Sequence, residues 1–121
     1  MAENRRTVGR YLDGFRKNDH EQILSCLTDS ITWTVFGAFR LTDKEAYDAT
    51  IEGPSFNPPP TLDVVRTVDQ DDVIMAEMTG SVRRETGEVM RMTMAEVSVM
   101  RDAKIAERRA EVIDLKEDDV R

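Results

Sequence analysis

The spacing of apolar residues predicts two helices at the start of the chain. Between residues 4 and 17, apolar side chains recur at positions i, i+3, i+4 and i+7, which places them on one helical face. These residues are Val8, Tyr11, Leu12 and Phe15. Asp19 precedes a glutamine by three residues, as in a capping box, and predicts a short second helix. That helix is expected to turn Ile23, Leu24 and Leu27 inward.

A strand and a third helix are predicted next. Residues 28–30 have the composition of a turn, and the alternation that follows predicts a strand over residues 31–36. Trp33 on this strand is interpreted either as the floor of a cavity or as ordinary core packing. Residues 42–45, Thr-Asp-Lys-Glu, have the form of a capping box and predict a third helix. A stiff, proline-rich connector follows at residues 57–60.

The second half of the chain predicts an antiparallel meander of four strands. A strand over residues 61–68 leads, through a turn, into three long segments that mix β-branched and apolar residues with charges. These segments are residues 73–78, 88–100 and 104–115. Gly87 is expected to supply the positive φ of the first hairpin turn. Asp102 and Ala103 form the second turn, where alanine in place of glycine should cost about 1 kcal/mol.

The strand over residues 88–100 dominates the predicted architecture. At ~3.3 Å per residue it would extend over about 40 Å, so we expect it to bend and to wrap around the N-terminal helices, with a pocket between them. Both of its faces are largely apolar, and we therefore expect a second copy of the chain to cover the outer face in a homodimer. Its even positions carry a methionine stripe, which is interpreted either as core or as a ligand surface.

Length, net charge and the counts of cysteine and histidine exclude several classes of protein and of binding site. The chain of 121 residues has the length of a single domain, which we place at residues 1–121. Its formal charge of −7 disfavours nucleic acid as a partner, and no apolar run reaches the ~20 residues of a membrane helix. The single cysteine, Cys26, and the lack of an export signal indicate a cytoplasmic location. The single histidine, His20, leaves no His-rich metal site and is expected to be solvent-exposed rather than catalytic.

The order of the predicted elements resembles a known family. Two helices, a strand, a helix and four strands, together with residues 36–47 and the turn at residues 101–105, resemble the NTF2-like superfamily, in particular its small bacterial SnoaL-like members. The resemblance implies an α+β fold, a cone in which three N-terminal helices pack on a strongly curved, mostly antiparallel β-sheet and enclose a pocket. It also implies a homodimer built across the outer face of the sheet. Asp43 and Ala103 stand where such sequences usually carry glycine.

One acidic residue is the candidate for catalysis. Members of the superfamily that look like limonene-epoxide hydrolase carry Arg-x-Asp on the penultimate strand and a further Asp on the last strand. This sequence has Met94-Ala95-Glu96 and Ala110 there, so water activation by a paired Asp–Arg–Asp set is not expected. Glu96 alone remains as a candidate general base, as the resemblance to isomerases and cyclases implies. The alternative is that Glu96 pairs with an arginine of the neighbouring strand, for which Arg108 is the expected partner.

The leading hypothesis is a homodimeric domain whose pocket binds a small, largely apolar molecule, without a metal or a cofactor. The expected ligand-binding residues are Tyr11, Phe15, Trp33, Tyr47, Met92, Met94 and Arg108. One alternative is an isomerase, cyclase or dehydratase in which Glu96 is the base and Tyr47 or Arg108 stabilises the developing negative charge. Another is a structural dimerisation or partner-binding module with a filled cavity. Alternation places Arg108, Ala110, Val112 and Asp114 of the last strand on one face and Arg109 and Glu111 on the other, unless a bulge exchanges them, and it assigns no face to Glu77.

Overall fold

The chain folds as an α+β domain with its helices against one side of a curved sheet. The computed structural model describes residues 2–52, 60–83 and 86–116. Within these ranges the helices are α1 (Ala2–Lys17), α2 (His20–Ser25) and α3 (Lys44–Glu52). The strands there are β1 (Leu27–Val35), β2 (Phe39–Thr42), β3 (Thr61–Gln70), β4 (Val73–Arg83), β5 (Val89–Arg101) and β6 (Lys104–Asp114). The predicted fold class, an NTF2-like cone with three helices, is confirmed.

The six described strands form one open sheet in the order β2-β1-β6-β5-β4-β3. Neighbouring strands are antiparallel except for β1 and β6, which run parallel. The parallel pair brings the N-terminal part of the chain beside the last strand, so that the helices and the long hairpins share one core. The meander of β3 to β6 has the predicted order, and β4 extends beyond the predicted segment to Arg83.

Two predictions around the first strand are wrong. Leu27, expected on α2, is the first residue of β1, and residues 28–30, expected as a turn, continue that strand. The reason is tertiary pairing. Leu27 pairs with Ile105 of β6, and the register then shifts before Thr32. Residues 28–30 therefore form an irregular part of the strand, between two paired positions.

The short strand β2 is missing from the sequence-based prediction, which has a loop there. Its four residues pair with β1, and an element of this length is too short for alternation to be visible. Since Thr42 ends β2, the cap of α3 is Asp43, whose Oδ1 accepts a hydrogen bond from the backbone N–H of Ala46 at 2.9 Å. Asp43 has a φ of +75°, the left-handed conformation that glycine adopts most readily. For α2, Asp19 is the cap as predicted.

The hairpin turns follow the expected chemistry where they are described. Gly87 has a φ of +88°. Asp102 and Ala103 have φ values of +53° and +61°, the pattern of a type I′ turn, so Ala103 occupies a position that favours glycine. Residues 84 and 85 of the first hairpin turn lie outside the described residues, as does the predicted proline-rich connector apart from Pro60.

A bulge determines which residues of β6 face the core. Val99 of β5 pairs with Glu107, but the next residue, Met100, pairs with Ile105, so Ala106 has no partner in the ladder. The bulge reverses the phase of β6, and Ile105, Arg108 and Ala110 are therefore all buried. Arg109, in contrast, lies on the outer face.

The core fills the space between the helices and the sheet. Its largest fully buried side chains include Trp33, Tyr11 and Tyr47, with Met78 and Ile74 from β4. Close packing also extends to the backbone at Gly80, where an added Cβ would lie 2.2 Å from the carbonyl oxygen of a residue on β3. No helix in the described part of the chain has the length and apolar content needed to cross a bilayer.

The outer face of the sheet combines apolar side chains with ion pairs. Met75 is 49% exposed, and Val97 and Val99 beside it are half-buried. Glu77, whose face the sequence leaves open, is on this side and accepts from Arg66 Nε at 3.0 Å. In the single chain this face is open to solvent.

Candidate functional site

Five elements bring polar and aromatic side chains together on the helix-covered side of the sheet. Tyr11 comes from α1, Trp33 from β1, Tyr47 from α3, Glu96 from β5 and Arg108 from β6. Strand register positions Trp33 and Arg108, because these two residues lie opposite each other in the parallel pair of β1 and β6. We call these five residues the central cluster.

An ion pair lies at the middle of the central cluster. Arg108 Nη2 contacts Glu96 Oε1, and the two side chains are only 5% and 9% exposed. Burial by itself lowers the pKa of Arg108, but the charge of Glu96 and its hydrogen bond more than compensate, and the pKa of the guanidinium is raised. The guanidinium of Arg108 is therefore held in its charged form inside the core.

Aromatic rings surround this ion pair. The guanidinium carbon of Arg108 lies 4.8 Å from the ring centroid of Tyr11 and 5.2 Å from that of Trp33, within the range of cation–π attraction. Trp33 stacks on Tyr47 with centroids 4.3 Å apart. Phe15 packs edge-on against Trp33 at 6.1 Å. The cation thus has aromatic faces where water would otherwise solvate it.

Two phenols complete the central cluster. The hydroxyl groups of Tyr11 and Tyr47 are hydrogen-bonded to each other and are fully buried. Burial raises the pKa of Tyr47 to about 12, against a lowering effect of the nearby charge of Arg108. Burial likewise raises the pKa of Tyr11 well above its usual value. Both phenols are neutral at physiological pH, and one of them donates its proton to the other.

The structure brings the predicted site residues to one side of the sheet. Glu96 and Arg108 are joined directly, and Tyr11, Trp33 and Tyr47 contact them or one another. Met92 and Met94 are buried on the same face of β5, further along the strand. Phe15 contacts the ring of Tyr11 with centroids 5.5 Å apart.

Two further residues belong to this environment but are absent from the sequence-based set. Phe39 on β2 packs edge-on against Trp33 at 5.0 Å, and Ser98 is buried directly opposite Arg108 in the ladder. The sequence contains a signal for Ser98, because its even position places it on the same face of the strand as the methionine stripe. Phe39 has no such signal, because its strand was not predicted.

His20 is half-buried, so the expectation of a solvent-exposed side chain holds only in part. Its side chain is 23% exposed, with Nδ1 at 2.5 Å from Asp48 Oδ1 and Nε2 at 3.3 Å from Glu52 Oε1. The imidazole therefore connects α2 to two carboxylates of α3, a contact between helices that sequence position does not reveal. Among residues 2–52, 60–83 and 86–116, no group of three or more His, Cys, Asp or Glu side chains is placed to hold a metal ion.

This fold and this internal cluster define an NTF2-like domain. The family model of the SnoaL-like domain matches residues 8–108, and the chain belongs to this family. The resemblance seen in the order of elements is thereby confirmed. A comparison with curated proteins gives no match.

Solved structures with the same fold include named enzymes. An LEH-like epoxide hydrolase from M. tuberculosis has a TM-score of 0.81 at 15% identity, with 93% of this chain and 84% of that chain covered. A candidate ketosteroid isomerase from Kribbella flavida has a TM-score of 0.81 at 14% identity, with coverage of 97% and 82%. A candidate SnoaL-like polyketide cyclase from Jannaschia sp. CCS1 has a TM-score of 0.78 at 14% identity, with coverage of 92% and 85%. At these identities the similarity supports the fold alone.

Proposed function

We propose that this SnoaL-like domain binds a small, largely apolar molecule that carries an oxygen acceptor, at the central cluster. The observation that carries the proposal is the buried ion pair of Glu96 and Arg108 beside two phenols in an aromatic core. A buried ion pair adds little net stability, because desolvation offsets the attraction. A small domain that retains such a pair in its core is therefore expected to use it for binding.

The residues around the cluster supply both kinds of contact that this ligand needs. Phe15, Trp33, Met92 and Met94 provide apolar and polarisable surface. Arg108 and the two phenols provide donors. The mutual hydrogen bond of the phenols uses one hydroxyl proton, so the other is available to an oxygen atom of the ligand.

We further propose that the domain acts as a homodimer through the outer face of the sheet. The half-exposed apolar patch around Met75, Val97 and Val99 supports this arrangement, since a second copy would remove it from water. Sedimentation velocity tests it: we expect a dimer, and Val97→Glu should give a monomer. A monomeric wild-type chain at micromolar concentration would contradict the proposed dimer.

A second candidate function is proton transfer with Glu96 as the general base. The convergence of a carboxylate with the donors Arg108 and Tyr47 favours it, because such donors stabilise an enolate oxygen. The ion pair disfavours it, because the carboxylate is already engaged by a guanidinium. We therefore place ligand binding first. The third possibility, a module for partner binding alone, requires that no small molecule enters the core.

Titration with a bicyclic ketone tests these alternatives. Trp33 is the single tryptophan of the chain and stacks on Tyr47, so its fluorescence reports directly on the site. We expect saturable binding of 2-decalone, with weaker binding of the hydrocarbon decalin, which lacks the oxygen. Tyr47→Phe keeps the ring and should weaken ketone binding by about three- to tenfold, the value of one hydrogen bond.

The same ketone separates binding from catalysis. In D2O, a general base would take a proton from the carbon beside the carbonyl and a deuteron from solvent would replace it, which mass spectrometry detects. We expect no exchange above the buffer rate. Exchange that is lost in Glu96→Gln would establish the second candidate function. If neither ketone nor hydrocarbon binds, and native mass spectrometry of the purified protein finds no bound small molecule, the binding proposal is refuted.

A further inference from the structure

A cavity lies outside the central cluster, between the start of α1, the end of α2 and the β5–β6 turn. Its volume is about 390 Å³, within the range of small-molecule sites. The lining residues are Glu3, Arg6, Thr7, Arg10, Ser25, Asp102, Ala103 and Lys104. We call this cavity the N-terminal cleft.

Three hydrogen bonds join the walls of the N-terminal cleft. Thr7 Oγ1 donates to the carbonyl of Ala103 at 2.8 Å, which ties α1 to the turn. Arg10 Nη2 donates to Ser25 Oγ at 3.0 Å, which ties α1 to α2. The N–H of Ile105 donates to the carbonyl of Cys26 at 2.8 Å, which ties the end of α2 to β6. The cleft is therefore pre-formed rather than a gap between loose elements.

The cations of the cleft are not engaged by carboxylates. Arg6 and Arg10 are one turn apart on α1, and Lys104 begins β6 on the facing wall. In the part of the chain that the structure describes, none of the three lies within ion-pairing distance of an acidic side chain, although Glu3 and Asp102 line the same cleft. This is unexpected in a chain of net charge −7, where acidic partners are abundant.

The charges of the cleft converge on a common region. Arg10 and Lys104 both act on the buried thiol of Cys26, where each opposes the rise in its pKa that burial causes. The cleft is lined by three cationic and two acidic side chains, against the negative balance of the chain. A small anion is therefore attracted to this cleft, whereas a long polyanion is repelled by the rest of the surface.

We propose that the N-terminal cleft binds a phosphorylated polyol of the sugar-phosphate class. The two guanidinium groups and Lys104 match a phosphate monoester, which arginine can bind through two parallel hydrogen bonds. The cavity is larger than a phosphate group, which leaves room for the organic part of the ligand. The carboxylates of Glu3 and Asp102 are acceptors for its hydroxyl groups, and Ser25 adds a further polar contact.

Isothermal titration calorimetry with glucose 6-phosphate, inorganic phosphate and glucose tests this site. We expect glucose 6-phosphate to bind most tightly, inorganic phosphate more weakly, and glucose not at all in the same concentration range. Arg6→Gln combined with Arg10→Gln should weaken glucose 6-phosphate binding at least about tenfold. Asp102→Asn should weaken glucose 6-phosphate but not inorganic phosphate.

A matched variant separates this site from general electrostatics. Arg40→Gln combined with Arg91→Gln removes two exposed arginines elsewhere, with the same change in net charge, and should alter the affinity less than about twofold. Unchanged circular dichroism and melting temperature confirm that both double variants are folded. Equal weakening by the two double variants, equal affinity for glucose 6-phosphate and inorganic phosphate, or no glucose 6-phosphate binding at millimolar concentration would overturn the proposal.

Discussion

Removing one partner of the buried ion pair should destabilise the fold strongly. In Arg108→Met the carboxylate of Glu96 loses its counter-charge while it stays at a site where its side chain is 9% exposed. The expected cost is about 3–5 kcal/mol, because the buried charge is then uncompensated. For a chain of 121 residues, about 4 °C of melting temperature corresponds to each kcal/mol, so the transition should fall by about 12–20 °C. Glu96→Met leaves Arg108 buried without its anion and should cost about 3 kcal/mol.

The double variant Glu96→Met, Arg108→Met distinguishes this explanation from simple loss of packing. Removing both charges also removes both desolvation costs, so the double variant should lie within about 1–2 kcal/mol of the wild type. The remaining loss reflects the cation–π contacts of Arg108 with Tyr11 and Trp33. Urea unfolding followed by circular dichroism gives the free energy of unfolding for each variant, and the cycle gives the coupling between the two side chains.

The exposed pair on the outer face is the matched control. Arg66 and Glu77 are also a strand-to-strand ion pair, but their side chains are 71% and 52% exposed. Glu77→Gln should therefore cost less than about 1 kcal/mol. If Glu96→Met and Arg108→Met each cost less than about 1 kcal/mol, or if their effects simply add in the double variant, the reasoning about the buried pair is refuted.

Three further predictions concern the phenols, a turn and two glycines. The chain has two tyrosines, Tyr11 and Tyr47, so absorbance at 295 nm reports only this pair, and we expect no ionisation in the folded state near pH 10. Because their folded pKa values are raised, the folded state holds these protons more tightly than the unfolded state does. This contribution to stability is complete below about pH 10 and is lost as the pH rises towards 12. Ala103→Gly should raise the free energy of unfolding by about 0.5–1 kcal/mol, as measured in urea, because Ala103 has a φ of +61°. Gly80→Ala should lower the melting temperature severely, whereas Gly9→Ala, in open space on α1, should raise stability by about 1 kcal/mol.

Each of these three predictions has a control variant or a result that would contradict it. Phenolate absorbance at pH 10 with an intact circular dichroism spectrum would contradict the assignment of buried phenols. For the turn, Ala49→Gly on the exposed side of α3 should cost about 1 kcal/mol, opposite in sign to Ala103→Gly. A tolerated Gly80→Ala would mean that β3 and β4 separate more easily at that point than the close approach of their backbones indicates.

The local features of the fold follow from the sequence because they depend on short-range chemistry. The apolar face of α1, the cap at Asp19 and the turns at Gly87 and Asp102-Ala103 each involve residues within a few positions of one another. Features that depend on pairing between distant segments were missed. Strand β2, and the start of β1 at Leu27, exist because β1 pairs with β2 on one side and with β6 on the other.

The sequence by itself determined the α+β class, the order of the hairpins and the residue types of the site. The sequence also predicted the pairing of Glu96 with Arg108, which the structure confirms, whereas tertiary structure alone decided which aromatic residues surround that pair. The bulge at Ala106 sets the phase of β6, and only that phase directs both Ile105 and Arg108 into the core. Arg108 then contacts Glu96 on the neighbouring strand. It also contacts the ring of Tyr11, which lies more than 90 positions earlier in the chain. Alternation within one strand cannot predict the contact of Arg108 with Tyr11, because Tyr11 lies on a helix and because the position of a bulge depends on the partner strand.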